Sequence, residues 1–171
     1  MHILLLAALS AASGSVGVSA QYDEQLVKAA ALINVARFVE WPEAESSQGP
    51  FVIAIASEGS FRGAVADLVR GRRLHDREVR VQRLAPGDGP CTCQVLFVGA
   101  DEDEHVTALL ESVRHLAVLT IGETPAFLRA GGVVRVFRAN DRLRLQINSK
   151  RSVESSLRIS SRLLRLAAGA Q

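Results

Sequence analysis

Phe51-Val52-Ile53-Ala54-Ile55-Ala56 decides the fold, because a continuous apolar run of strand length leads through Ser57-Glu58-Gly59 into a helical pattern from Ser60 to Val69. The same alternation recurs downstream. Gln94 to Val98 and Leu116 to Ile121 are further apolar runs, with a helical pattern from about Asp103 to Val113 between them. Glu78 to Leu84 alternates, placing Val79 and Val81 inward. Strands that take turns with helices of this length predict βαβ units and a mainly parallel central sheet flanked by helices, so the fold class is α/β.

The two ends complete that reading. Tyr22 to Phe38 is helical, with Leu26, Ala30 and Ile33 on one stripe and Val27, Ala31 and Phe38 on the next, and the width of that face predicts a largely buried helix. Asn34 falls inside the face and is expected to tie the helix to a neighbouring loop through its amide. Phe38-Val39-Glu40-Trp41-Pro42 ends the helix with the only tryptophan, read as a core lid or a contact residue, and Glu43 to Pro50 is a polar loop. Near the C-terminus, Val134 and Val136 face Leu143, Leu145 and Ile147 across Ala139-Asn140-Asp141. The second set alternates with Arg142, Arg144 and Gln146, which predicts an antiparallel hairpin. A last helix follows, where Leu157, Ile159, Leu163, Leu164 and Leu166 alternate with Arg158, Arg162 and Arg165. Its apolar and basic faces suit docking on the core or on a partner.

Ile3 to Ala8 is a short apolar run followed by small residues, and Val18-Ser19-Ala20 fits a signal-peptidase site. Residues 1–20 are therefore expected to be a signal peptide cleaved after Ala20, with one domain over 21–171. The apolar run is shorter than the roughly 20 residues a membrane span needs. A mature chain of about 150 residues can bury a full core without metal. The net charge of +2 conceals an asymmetry: from residue 131 onward nine Lys and Arg face only Asp141 and Glu154, a net +7 that leaves −5 for the rest. A basic surface can meet nucleic acid, anionic lipid or an acidic protein. Exported proteins rarely meet nucleic acid, and the basic region carries a single aromatic residue, Phe137, too few to stack successive bases, so nucleic acid is set aside.

Catalytic chemistry finds little support. Ala56-Ser57-Glu58-Gly59-Ser60 lacks the paired glycines and lysine of a phosphate loop, so no nucleotide cofactor is expected. His75, His105 and His115 have no metal-ligand spacing. The run Asp101-Glu102-Asp103-Glu104 is read as capping a helix N-terminus. Ser160-Ser161 has no partner base. Cys91 and Cys93 lie two residues apart, about 6.5 to 7 Å between Cα atoms if extended. A bond between them therefore needs a turn and would form an easily reduced ring. Intermolecular pairing and two ordinary thiols are the other readings.

Four blocks together resemble the YfiR family of periplasmic proteins: Lys28 to Pro42 with Asn34-Val35-Ala36-Arg37-Phe38 at its centre, Cys93-Gln94-Val95-Leu96-Phe97-Val98-Gly99, Gly131-Gly132-Val133-Val134-Arg135-Val136 with Arg142 to Asn148, and Leu157 to Leu166. The resemblance spans nearly all of the mature chain. It implies a non-enzymatic periplasmic repressor that binds the sensor domain of an inner-membrane diguanylate cyclase of the YfiN type, or of a sensor kinase, and lowers cyclic di-GMP production. It also implies relief by an outer-membrane lipoprotein of the YfiB type, a role in biofilm control, and a homodimer. In the family the cysteine matching Cys93 often pairs with a distant one, whereas its only companion here is Cys91. Ser149 to Ser156 also lacks the glycine that relatives carry before the last helix. The expected contact surface is Leu157, Arg158, Ile159, Arg162 and Leu163, with Trp41 nearby. Two other readings stand beside it: a small-molecule sensor whose pocket lies near Ser57-Glu58-Gly59 and Gly99-Ala100-Asp101, and a thiol redox module on Cys91 and Cys93.

Overall fold

The computed structural model describes residues 15–42 and 49–168. The first fourteen residues of the expected signal segment and most of the expected loop from Glu43 to Pro50 lie outside that range. The chain runs through α1 (Ser15–Arg37), β1 (Val39–Glu40), β2 (Phe51–Ala56), α2 (Phe61–Val69), β3 (Arg73–Leu74), β4 (Arg77–Arg83), β5 (Val95–Val98) and a 3-10 turn (Ala100–Glu102). It continues through α3 (Val106–Ser112), β6 (Leu119–Gly122), α4 (Pro125–Arg129), β7 (Val134–Ala139), β8 (Arg142–Ile147), α5 (Ser149–Glu154), β9 (Arg158–Ile159) and α6 (Ser161–Ala168).

Seven strands form one sheet in the order β3-β4-β2-β5-β6-β7-β8. β4, β2, β5, β6 and β7 are parallel, and β3 and β8 are antiparallel edges. The apolar runs occupy the centre because both faces are covered: β5 and β6 are buried throughout, and β2 at every position except Val52. One core layer joins Ala29, Leu32, Ile33 and Ala36 of α1 to Phe61, Val65 and Val69 of α2, to the sheet, and to Leu157 and Leu163. The opposite layer holds Val106, Leu109 and Leu110 of α3, Phe127 of α4, and both cysteines. From β2 the chain first steps to β4, then crosses back to β5 on the other side of β2. The strand order therefore reverses between β2 and β5, the position where open α/β sheets place ligands at the strand C-termini.

Local chemistry explains the joins. Thr124 caps α4 by accepting from Phe127 N at 3.1 Å, and Pro125 occupies the first turn. This helix is too short to show a period, so only its Thr-Pro start is visible in the sequence. The hairpin turn places Asn140 and Asp141 at φ of 50° and 57°, the mirror-image turn that matches strand twist. Asn148 caps α5 by accepting from Arg151 N at 3.0 Å. Ser156 takes a φ of 57° just after α5, so that helix ends without a glycine. β9 then pairs antiparallel with β1, Val39 opposite Ile159 and Glu40 opposite Arg158, which stitches the end of α1 to the start of α6.

Candidate functional site

α6 and the segment leading into it divide their leucines between core and surface. Leu163 is 2% exposed and Leu157 3%, so both belong to the first core layer. The expectation that they present themselves to a partner is thereby corrected, since the β1–β9 stitch turns them toward α1 and the sheet. The outward residues are Leu164, 37% exposed, and Leu166, 58% exposed, on a helix that also exposes Arg162 and Arg165, while exposed Arg158 lies in β9. Leu163 and Leu164 are adjacent, about 100° apart on the helix, and the rotation of α6 decides which of them is buried, which the sequence alone does not show.

Ile159 is half-buried, and Arg162 lies over the Phe38 ring at 5.3 Å. Trp41 packs edge-on against Phe51 at 5.2 Å and His75 at 5.3 Å, a half-buried lid, and the β1–β9 register sets its neighbour Glu40 opposite Arg158. His75 Nε2 lies 3.0 Å from Ala36 O, which holds the β3–β4 turn against α1. Between α1, β8 and α6 runs a groove of about 240 Å³ lined by Ala31, Asn34, Phe38, Leu143, Leu145 and Leu166, among others. Asn34 is exposed at its rim, contrary to the expected buried tie, and Val27 on the same stripe is also exposed. The buried face of α1 is formed by Ala29, Leu32, Ile33, Val35 and Ala36.

At the switch point the chain clamps itself. Asp101 accepts from Glu58 N at 2.6 Å and from Ser57 Oγ at 3.0 Å, joining the loops after β2 and β5. A Cβ on Gly99 would overlap both Asp101 and Ser57, so glycine makes this approach possible. Asp103 accepts from Thr124 Oγ1 at 2.6 Å, and Glu123 pairs with Lys28 Nζ at 2.8 Å and accepts from Ala100 N at 3.2 Å. The acidic run thus ties three loops together rather than simply capping α3, which starts later, at Val106. A cavity of about 260 Å³ remains among Gln25, Lys28, Ser60, Asp101 and Glu123 and their neighbours. Its carboxylates already engage groups of the chain, and Asp101 takes the backbone donor a ligand would use at this position.

Cys91 and Cys93 are bonded to each other, with Cα atoms 5.3 Å apart, so the loop makes the required turn. Both sit in the second core layer, and Gln82 Nε2 approaches Cys91 Sγ at 3.9 Å. A bridge between residues two apart closes a very small loop and contributes roughly 2 kcal/mol in the chain-entropy model, against about 4.7 kcal/mol for a loop of 100 residues. Reduction with dithiothreitol is accordingly expected to lower the melting temperature by several degrees while circular dichroism still shows a cooperative transition. Loss of the transition on reduction would show that the bridge holds the second layer together.

A family model described as YfiR/HmsC-like matches residues 25–168, from the first core turns of α1 to the end of α6. This chain belongs to the YfiR/HmsC-like family. It is a regulatory family of periplasmic proteins in cyclic di-GMP signalling, generally without enzymatic activity, and it implies interaction with an inner-membrane signalling protein. No curated protein matches the chain significantly. The family match takes in both features described above, the clamped switch point and the arginine-flanked leucines of α6, and it begins beyond the expected cleavage point at Ala20.

Proposed function

We propose that this protein is exported, with cleavage after Ala20, and represses an inner-membrane diguanylate cyclase by binding its periplasmic sensor domain. The observation that carries the reading is α6, which buries Leu163 and sets Leu164 and Leu166 outward on a helix that also carries Arg162 and Arg165. Exposed apolar residues flanked by arginine form the type of surface that anchors a protein interface. Repression follows only if the protein binds the inactive conformation of the sensor more tightly than the active one. Equal affinity for both would leave cyclic di-GMP unchanged. Relief by an outer-membrane lipoprotein competing for the same surface, and a homodimeric state, belong to the same proposal. The small-molecule reading has weaker support, because the cavity at the switch point is lined by groups already paired within the chain.

Crosslinking of the tagged protein in the envelope of its host, with mass spectrometry of what is captured, tests the proposal. Recovery of a membrane diguanylate cyclase is the expected result. Leu164→Asp and Leu166→Asp should each leave the melting temperature within about a degree and weaken capture tenfold or more, since a central apolar anchor contributes about 2 kcal/mol. If both variants capture the cyclase as well as the parent protein does, α6 is not the contact.

A further inference from the structure

β8 is an edge of the seven-stranded sheet, and among the described residues its only ladder partner is β7. Asn148 N donates to Val133 O at 2.8 Å, which sets the phase of the antiparallel ladder. In that phase Arg142, Arg144 and Gln146 bond inward to β7, and Leu143, Leu145 and Ile147 turn their N–H and C=O groups outward. No backbone group among the described residues takes those six outward groups. Natural sheets seldom leave such a row without cover or a use.

The side chains along this edge carry a second message. On one face, Leu143, Leu145 and Ile147 are half-buried, and the first two open into the groove against α1 and α6. On the other face Arg142 and Arg144 stand beside Phe137 and Arg135 of β7, with Phe137 opposite Arg144 and Arg135 opposite Gln146. Arg135 lies over the Phe137 ring at 4.2 Å and donates to Gln146 Oε1 at 2.9 Å, so it braces this face. An added strand would meet an arginine row on one side and an apolar row on the other, in strict alternation.

We propose that β8 is a strand-addition site for an extended segment of a partner protein in which acidic and apolar residues alternate. The inference rests on the reading that this protein acts by contact, and it adds backbone recognition at the sheet edge to the contact on α6. Charge complementarity selects the partner, because the region from residue 131 onward carries a net +7. The same charge opposes a second copy. Antiparallel pairing of β8 with itself keeps each side-chain face together: centred on Arg144 it sets that residue against its own counterpart, and centred on Leu145 it sets the two copies of Arg144 on a diagonal within reach of long side chains, and like charges so placed are unfavourable.

The test uses the full mature chain, labelled with 15N, and two eight-residue blocked peptides, one alternating Glu and Val and one alternating Lys and Val. The acidic peptide should bind and slow amide exchange at Leu143, Leu145 and Ile147 about tenfold or more, and the basic peptide should not. Arg142→Glu with Arg144→Glu should weaken the acidic peptide at least about tenfold through the loss of two ion pairs and bring in the basic one. Equal binding of the two peptides, or binding without protection at those three amides, would overturn the proposal. Protection that grows with protein concentration in the absence of peptide would replace the partner with a second copy. None of these outcomes alters the result expected for Leu164→Asp in envelope capture, so failure here and failure of the repressor reading can be told apart.

Discussion

Leu163→Asp is expected to unfold the domain, while Leu164→Asp, one residue further on, is expected to leave it folded. Leu163 is 2% exposed, and it packs with Val35 of α1 and Leu145 of β8 at the floor of the groove. Removing a buried leucine side chain costs roughly 2 to 5 kcal/mol, and a carboxylate in its place adds several more because nothing there neutralises it. The total approaches the whole stability of about 5 to 15 kcal/mol that a domain has to lose. Urea denaturation followed by circular dichroism is the measurement. Leu163→Asp should lack a folded baseline or show a midpoint far below that of the parent, and Leu164→Asp should overlay it. If the two variants shifted equally, the helix would be seated differently and the contact surface would have to be reassigned. Leu163→Ala, with an intermediate midpoint, keeps the comparison quantitative.

This pair also marks the limit of what the amino-acid pattern discloses. The central strands were legible because β2, β5 and β6 are buried on both sides and so read as uninterrupted apolar runs. The hairpin was legible because Asn140-Asp141 supplies residues that tolerate positive φ. α6 was visible as an amphipathic segment, but its rotation is set by a two-residue ladder between β1 and β9, a contact between residues about 120 apart that no local period encodes. The switch-point clamp was hidden for a similar reason. Asp101 reads locally as an acid near a helix start, and only the fold brings it to Glu58 N and Ser57 Oγ. Asn34 misled because it lies among apolar neighbours in sequence, yet seven residues from exposed Val27 it falls on the same outward stripe.

Gly132→Ala is expected to be among the most destabilising single-methyl additions in the chain, and Phe127→Leu is expected to rescue it in part. Phe127 is 1% exposed and fills the space between Gly122 at the end of β6 and Gly132 before β7. A Cβ on either glycine would lie inside the van der Waals surface of the phenyl ring. Neither the ring, close-packed among its neighbours, nor the strand ends can yield cheaply, so the cost is that of overpacking, about 1 to 3 kcal/mol or more. Gly131 offers the control. A Cβ there meets nothing within 4 Å, but its φ of 98° is a glycine conformation, so Gly131→Ala is destabilising through the backbone alone. Phe127→Leu creates room for a methyl at residue 132 and does nothing for a strained φ at residue 131. In double-mutant cycles of urea unfolding, the Phe127→Leu/Gly132→Ala pair should be more stable than additivity predicts by about 1 kcal/mol or more, and the pair with Gly131→Ala should be additive within about 0.5 kcal/mol. Additivity in both cycles would mean that the ring and Gly132 are not in contact. Because the turn after Gly122 carries Glu123, the partner of Lys28 on α1, the seating of Phe127 also fixes one anchor of the clamp at the switch point.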